Sequence, residues 1–149
     1  MYVSCVSLAF SVASWCSALA ETDDLGKPIF EATFETDKLY CMVDVLVPAE
    51  DGWDIVEVKS GSSVKKEHYD DVAFQKYVMK NAFPEWNVSG YLMLADKSAT
   101  ATVSGLNQRF QLEKKDEERM RVTIKGDVTP AALGKQLLRQ IKVDEIIDP

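Results

Sequence analysis

Three residues, Asp44, Glu57 and Lys59, have the types and spacing that metal-assisted phosphodiester chemistry requires. Asp44 stands alone among Met42, Val43, Val45 and Leu46. A carboxylate in such apolar company costs several kcal/mol unless it is hydrogen-bonded, paired or bound to a cation, roughly the penalty for any unpaired buried charge. Thirteen positions on comes Glu57-Val58-Lys59. On a strand, residues two apart share a face, so the acid and the ammonium project together. If Ala49–Gly52 closes a hairpin, Pro48 falls opposite Trp53 and Asp44 opposite Glu57, on one face of the pair. A connection one residue longer would send the two acids to opposite faces.

Two carboxylates held that close repel unless a cation lies between them. A hard divalent ion, Mg²⁺ or Mn²⁺, suits Asp44, Glu57 and the backbone carbonyl of Val58, because such ions prefer oxygen donors and retain waters. The ion would acidify water and polarise a phosphoryl oxygen. Lys59 would orient the attacking water or stabilise charge developing on the phosphate.

The elements that must place these residues are legible in outline. Residues 5–22 read as a helix, followed by a break at Asp23–Pro28. Ile29–Glu35 reads as a strand whose alternation puts Glu31, Thr33 and Glu35 on one side and Phe30 and Phe34 on the other. Leu39–Val47, apolar on both faces but for Asp44, predicts a central strand. Trp53–Lys59 is the next strand, Val64–Ala82 a helix closed by Phe83-Pro84, and Trp86–Leu94 a further strand. Beyond Asp96 the pattern predicts strands over Ala99–Ser104, Gln108–Glu113 and Met120–Lys125, with Lys114–Arg119 as a turn between the last two. Thr129-Pro130 then starts a helix running to about Lys142. The fold class expected is α/β, a mixed central β-sheet flanked by helices on both faces.

The stretch Cys41-Met-Val-Asp-Val-Leu-Val, an acidic loop, and Trp53-Asp-Ile-Val-Glu-Val-Lys-Ser resembles the D…ExK core of PD-(D/E)XK nucleases, closest to the RecB-like branch. The resemblance spans about Ile29 to Leu94 and implies a restriction-endonuclease-like core. It further implies a Mg²⁺-dependent nuclease acting on DNA, with endo- or exonuclease action open. Members of the branch place a glutamine, and a tyrosine four residues later, on the helix after ExK. Gln75 matches the first, Met79 stands at the second, and Tyr77 lies off that face. Gln75 therefore joins the catalytic set, while Glu31 and His68 are candidates to support the ligands from behind. The iron–sulfur variants need four ligating cysteines; the chain has three, so no cluster is expected.

Composition bounds these readings. The 149 residues, 46% hydrophobic and 28% charged, suit one globular domain over 1–149, with the nuclease-like core at 29–94 and 96–149 as a C-terminal extension. The net charge of −7 argues against tight electrostatic binding of nucleic acid by the whole surface. Between Lys59 and Lys80, however, five lysines face three acids, a local net of +2. The alternative to an enzyme is a catalytically silent nuclease-fold module, a subunit or binding domain of a larger DNA-processing assembly that includes a helicase or another protein. The three scattered cysteines, Cys5, Cys16 and Cys41, suit the reducing cytoplasm, with Cys41 a small buried thiol. No run is long enough to span a membrane. A third reading, a secreted β-rich binding domain, rests on residues 1–20, which end in Ala18-Leu19-Ala20 like a signal peptide. No Lys or Arg precedes Lys27, and the sequon Asn87-Val88-Ser89 matters only under export. Trp53, Trp86 and the stripe Tyr69, Phe74, Tyr77 are expected to pack in or beside the core.

Overall fold

The computed structural model describes residues 26–114 and 120–148; the expected N-terminal helix and signal-like segment, Cys5 and Cys16, and the turn over residues 115–119 lie outside them. The described elements are β1 (Ile29–Glu35), β2 (Tyr40–Ala49), β3 (Gly52–Lys59), α1 (Lys66–Ala82), β4 (Asn87–Ala95), a 3-10 turn (Leu106–Arg109), β5 (Phe110–Lys114), β6 (Met120–Ile124), α2 (Pro130–Leu133), β7 (Leu138–Lys142) and α3 (Asp144–Ile147). They form an α/β structure with a mixed sheet in the order β1-β2-β3-β4-β7 and a separate two-stranded sheet, β5-β6. Among the described residues no helix is long and apolar enough to cross a membrane.

Strands β1, β2 and β3 form an antiparallel meander, and α1 carries the chain over to β4, which runs parallel to β3. The turn between β2 and β3 is only Glu50-Asp51, because Ala49 already pairs with Gly52. The pairs Pro48↔Trp53 and Val45↔Val56 are those the sequence predicts, and the register extends to put Asp44 level with Glu57. Apolar β2 lies between two paired neighbours, a central strand as expected, but one face is open at its start, where Tyr40 and Met42 are exposed.

Helix α1 lies on one face of the sheet and buries His68, Val72, Gln75, Val78 and Met79, a stripe at helical spacing. These meet Val43, Leu46, Ile55, Leu92 and Leu94 in a core that also takes Val143. At the C-terminal end of α1, Phe83 stacks on Trp86 at 4.1 Å between ring centroids, and Phe34 meets both rings edge-on. Trp53 and Trp86 thus pack at the core, as expected, whereas Phe74 and Tyr77 are exposed and do not.

Three local expectations are overturned. Glu31 has φ +54, a left-handed conformation that costs a side-chain-bearing residue about 1–2 kcal/mol. It shifts the alternation of β1, so Ala32 and Phe34 are buried while Phe30 is 65% exposed. The segment Ala99–Ser104 is turn and bend rather than strand. The helix begun at Thr129, whose hydroxyl accepts from the Ala132 N–H at 3.3 Å, stops at Leu133, because Gly134 takes φ +76. Residues Leu138–Lys142 join the sheet beside β4 instead.

The described residues divide into two compact units, one of 26–94 with 140–148 and one within 95–139. The stretch 96–149 is therefore not one extension: residues 140–148 complete the first unit. There Val143 donates to the Gly90 carbonyl at 2.9 Å, and Asp144 accepts from the Gly90 N–H at 2.9 Å. The second unit is built on the β5–β6 hairpin. Arg109 ties it together by donating to the carbonyls of Asp127 and Ala132, each at 3.0 Å.

Candidate metal and phosphodiester site

The ladder between β2 and β3 ends at Val45↔Val56. Beyond it β2 stays paired with β1 as far as Tyr40↔Glu35, and β3 stays paired with β4 as far as Lys59↔Leu94. The two halves of the sheet part there, and of the candidate residues Glu57 and Gln75 line the cleft that opens.

Asp44 occupies the point of separation. The backbone N–H of Val58 donates to its Oδ2 at 2.8 Å, where a continued ladder would have offered a carbonyl. A strand residue directs its N–H and C=O to the same edge, so the Val58 carbonyl faces this cleft too. One turn residue more between β2 and β3 would have removed Asp44 from this position.

Glu57 is buried, and both of its oxygens are engaged. Lys59 Nζ donates to Oε1 at 2.7 Å, as the shared face of a strand predicts, and Gln75 Nε2 donates to Oε2 at 2.7 Å from α1. Gln75 Nε2 also lies 3.4 Å from the Met42 carbonyl. The structure thus brings Glu57, Lys59 and Gln75 into contact, while Asp44 meets the backbone N–H of Val58, between Glu57 and Lys59 in the chain.

Asp71 was not anticipated as a partner. Its Oδ2 accepts from Lys59 at 2.6 Å, so the ammonium bridges two carboxylates. Burial alone pulls Lys59 down, but the hydrogen bonds to Asp71 and Glu57 outweigh it and hold the ammonium above its ordinary pKa. The signal was the spacing: Asp71 precedes Gln75 by one helical turn and so shares its face.

The two supporting candidates separate. His68 is buried at the start of α1, where Nδ1 accepts from the Lys65 N–H at 3.3 Å and caps the helix. Glu31 falls level with Asp44 across β1 and β2, between the pairs Phe30↔Val45 and Ala32↔Val43, but its side chain is exposed. Cys41 is a buried thiol as expected, its Sγ 4.0 Å from the Gln75 carbonyl, and burial pushes it up to about 11.

Among the described residues no three His, Cys, Asp or Glu side chains form a metal-holding group. The donors expected from the sequence, two carboxylates and a carbonyl, would leave a Mg²⁺ ion to keep several of its waters. Two observations fit the ion to the cleft. Asp44, Glu57 and Asp71 outnumber Lys59, leaving a formal charge of −2. In addition, Gln75 Oε1 is a buried acceptor without a hydrogen-bond partner, directly beside Glu57. Compared with protein-family models, curated proteins and solved structures, the chain matches none of them.

Proposed function

We propose that the chain is a metal-dependent nuclease of the PD-(D/E)XK kind, with a restriction-endonuclease-like core, hydrolysing phosphodiester bonds of DNA. The observation that carries this reading is the meeting of Glu57, Lys59 and Gln75 at 2.7 Å contacts, beside Asp44 on the Val58 N–H, where β2 and β3 part. The antiparallel β2–β3 hairpin, followed by a helix crossing to a parallel strand, supports the same assignment.

Asp44, Glu57 and the Val58 carbonyl would hold Mg²⁺ or Mn²⁺. Bound there, the ion supplies a Lewis acid for the phosphoryl oxygen and acidifies water. Gln75 fixes the Glu57 carboxylate through Nε2, so the acid presents its oxygens in one orientation. Lys59, kept protonated by Glu57 and Asp71, orients the attacking water and offsets negative charge growing on the phosphate. Asp71 restrains Lys59 from the helix side.

The test is cleavage of labelled single- and double-stranded DNA in Mg²⁺ or Mn²⁺, with and without a chelator. Cutting that the chelator abolishes is expected; no cutting with any metal refutes the reading. One observation favours a second reading, a silent module serving a helicase or another subunit. Met79, where the branch carries tyrosine, is fully buried in the core and contributes nothing to the cleft. Saturable Mn²⁺ binding without cutting, reversed when a partner is added, would establish that alternative.

A further inference from the structure

The cleft has walls that hydrolysis does not require. A shallow, open depression of about 360 Å³ lies there, lined by Tyr40, Met42, Glu57, Asp71, Phe74 and Gln75 among others. Tyr40 is 60% exposed and Phe74 45%, although their neighbours Cys41 and Gln75 are buried. The backbone at both positions is thus fixed by the core while the rings are not part of it. Two aromatic rings left half in water beside one depression forgo most of the burial that aromatic side chains usually gain. Gln75, which clamps Glu57, forms part of the same wall.

Charge narrows the ligand. Glu57 and Asp71 line the depression, and Lys59 is already bonded to both, so a phosphate would meet carboxylates with no spare cation among these three. A flat, uncharged group suits the lining, because the two exposed rings offer π faces. We propose that the depression takes an unpaired nucleobase of the strand being cut, stacked on Tyr40 and Phe74. This proposal rests on the nuclease reading of the adjoining carboxylates, and it specifies the substrate as single-stranded DNA or a frayed end. A base inside a duplex enters only after it has been unpaired and unstacked, which costs a few kcal/mol.

The binding signature follows. Stacking supplies the affinity, so few counterions are released and log K falls with log salt at a slope shallower than about −2, the value for roughly three phosphate contacts to a single strand. Removing a stacking ring weakens binding by roughly 5- to 100-fold.

The experiment is fluorescence anisotropy of the full chain in Ca²⁺, with labelled oligo(dT), an abasic oligonucleotide of equal length, and duplex DNA as ligands. Oligo(dT) is expected to bind at least about tenfold tighter than the abasic strand. Tyr40→Ala and Phe74→Ala are expected to lose most of that difference while Tyr40→Phe and Phe74→Tyr keep it; both rings are exposed, so the variants should keep the wild-type urea midpoint. Equal affinity for abasic and base-bearing strands, unchanged binding in the alanine variants, a steep salt slope, or no binding at all would each overturn the proposal. Since the readout involves no cutting, ring-dependent binding by a chain that fails to cleave would refute only the nuclease reading. Cleavage without ring dependence would refute only this one.

Discussion

Replacing Glu57 by glutamine tests how the site is held together. The wild-type carboxylate accepts from Lys59 and from Gln75, each at 2.7 Å, with a side chain only 11% exposed. An amide of the same shape has one acceptor oxygen; Lys59 can keep it, while Gln75 must turn its own amide so that Oε1 accepts from the new NH₂ group, giving up the Met42 carbonyl. Two bonds to a carboxylate become weaker bonds to a neutral amide, a loss of about 2–3 kcal/mol. Relief from burying the charge offsets part of this, leaving a net loss of about 1–2 kcal/mol. With m of about 2 kcal/mol/M, the urea midpoint should drop by about 0.5–1 M at unchanged slope. The control is Glu67→Gln, whose pair with Lys65 is open to water on both sides, and its midpoint should not move. If Glu57→Gln matches that control, Glu57 is not clamped by Lys59 and Gln75, and the argument for a pre-positioned acid fails. A midpoint above wild type would show that repulsion among the site's carboxylates dominates.

Three further outcomes follow from the packing. A methyl group at Gly90 would lie 2.7 Å from Val72 Cγ1 and 3.1 Å from Ile147 Cδ1, so Gly90→Ala should cost about 1–3 kcal/mol in a thermal melt; an unchanged Tm would refute that close approach. Cys41, with its pKa at about 11, should alkylate at pH 8 roughly two-hundred-fold more slowly than a free thiol, read on its own peptide by mass spectrometry; labelling at the free-thiol rate would contradict its burial. Burial pushes the Asp144 carboxyl up, but bonds from Lys76 at 2.7 Å and from the Gly90 N–H outweigh it and hold the pKa below the ordinary 3.8. A depressed folded-state pKa adds stability above the unfolded value and loses it as pH falls through the folded one. Asp144→Asn should therefore lower the Tm at pH 6, with the gap to wild type closing below pH 3.8; a gap independent of pH would refute the linkage.

What the sequence disclosed, it disclosed through constraints that leave few solutions. An apolar strand with one acid, a short connection and an acid–lysine pair admit one register that brings the charges together, and Pro48↔Trp53 is that register. The helix after Lys59 was legible from its pattern, and Gln75 entered through the nuclease resemblance; its bond to Glu57 became visible only in the fold. The failures are places where a local pattern was overridden. Leu133, Leu137 and Ile141 recur at helical spacing, yet Gly134 at φ +76 ends the helix and the following residues satisfy their backbone against β4. Alternation in β1 breaks at Glu31 because a single left-handed residue rephases the strand, and no propensity of glutamate predicts that. Phe74 and Tyr77 look like core by composition, but the buried stripe of α1 runs through Val72, Gln75 and Met79. Spacing puts Asp71 on the face of Gln75, but its bond to Lys59 needed the fold to be seen, since that partner lies on another element.

The central claim is that Lys59, fixed beside the Asp44–Glu57 pair, acts on a phosphodiester held with a divalent ion. Single-turnover cleavage of DNA in Mg²⁺ by wild type and Lys59→Ala measures it most directly. The account predicts a metal-dependent rate that falls by about 10²–10³-fold in the variant, the usual effect of removing one charge-stabilising donor. Equal rates for the two proteins would contradict it.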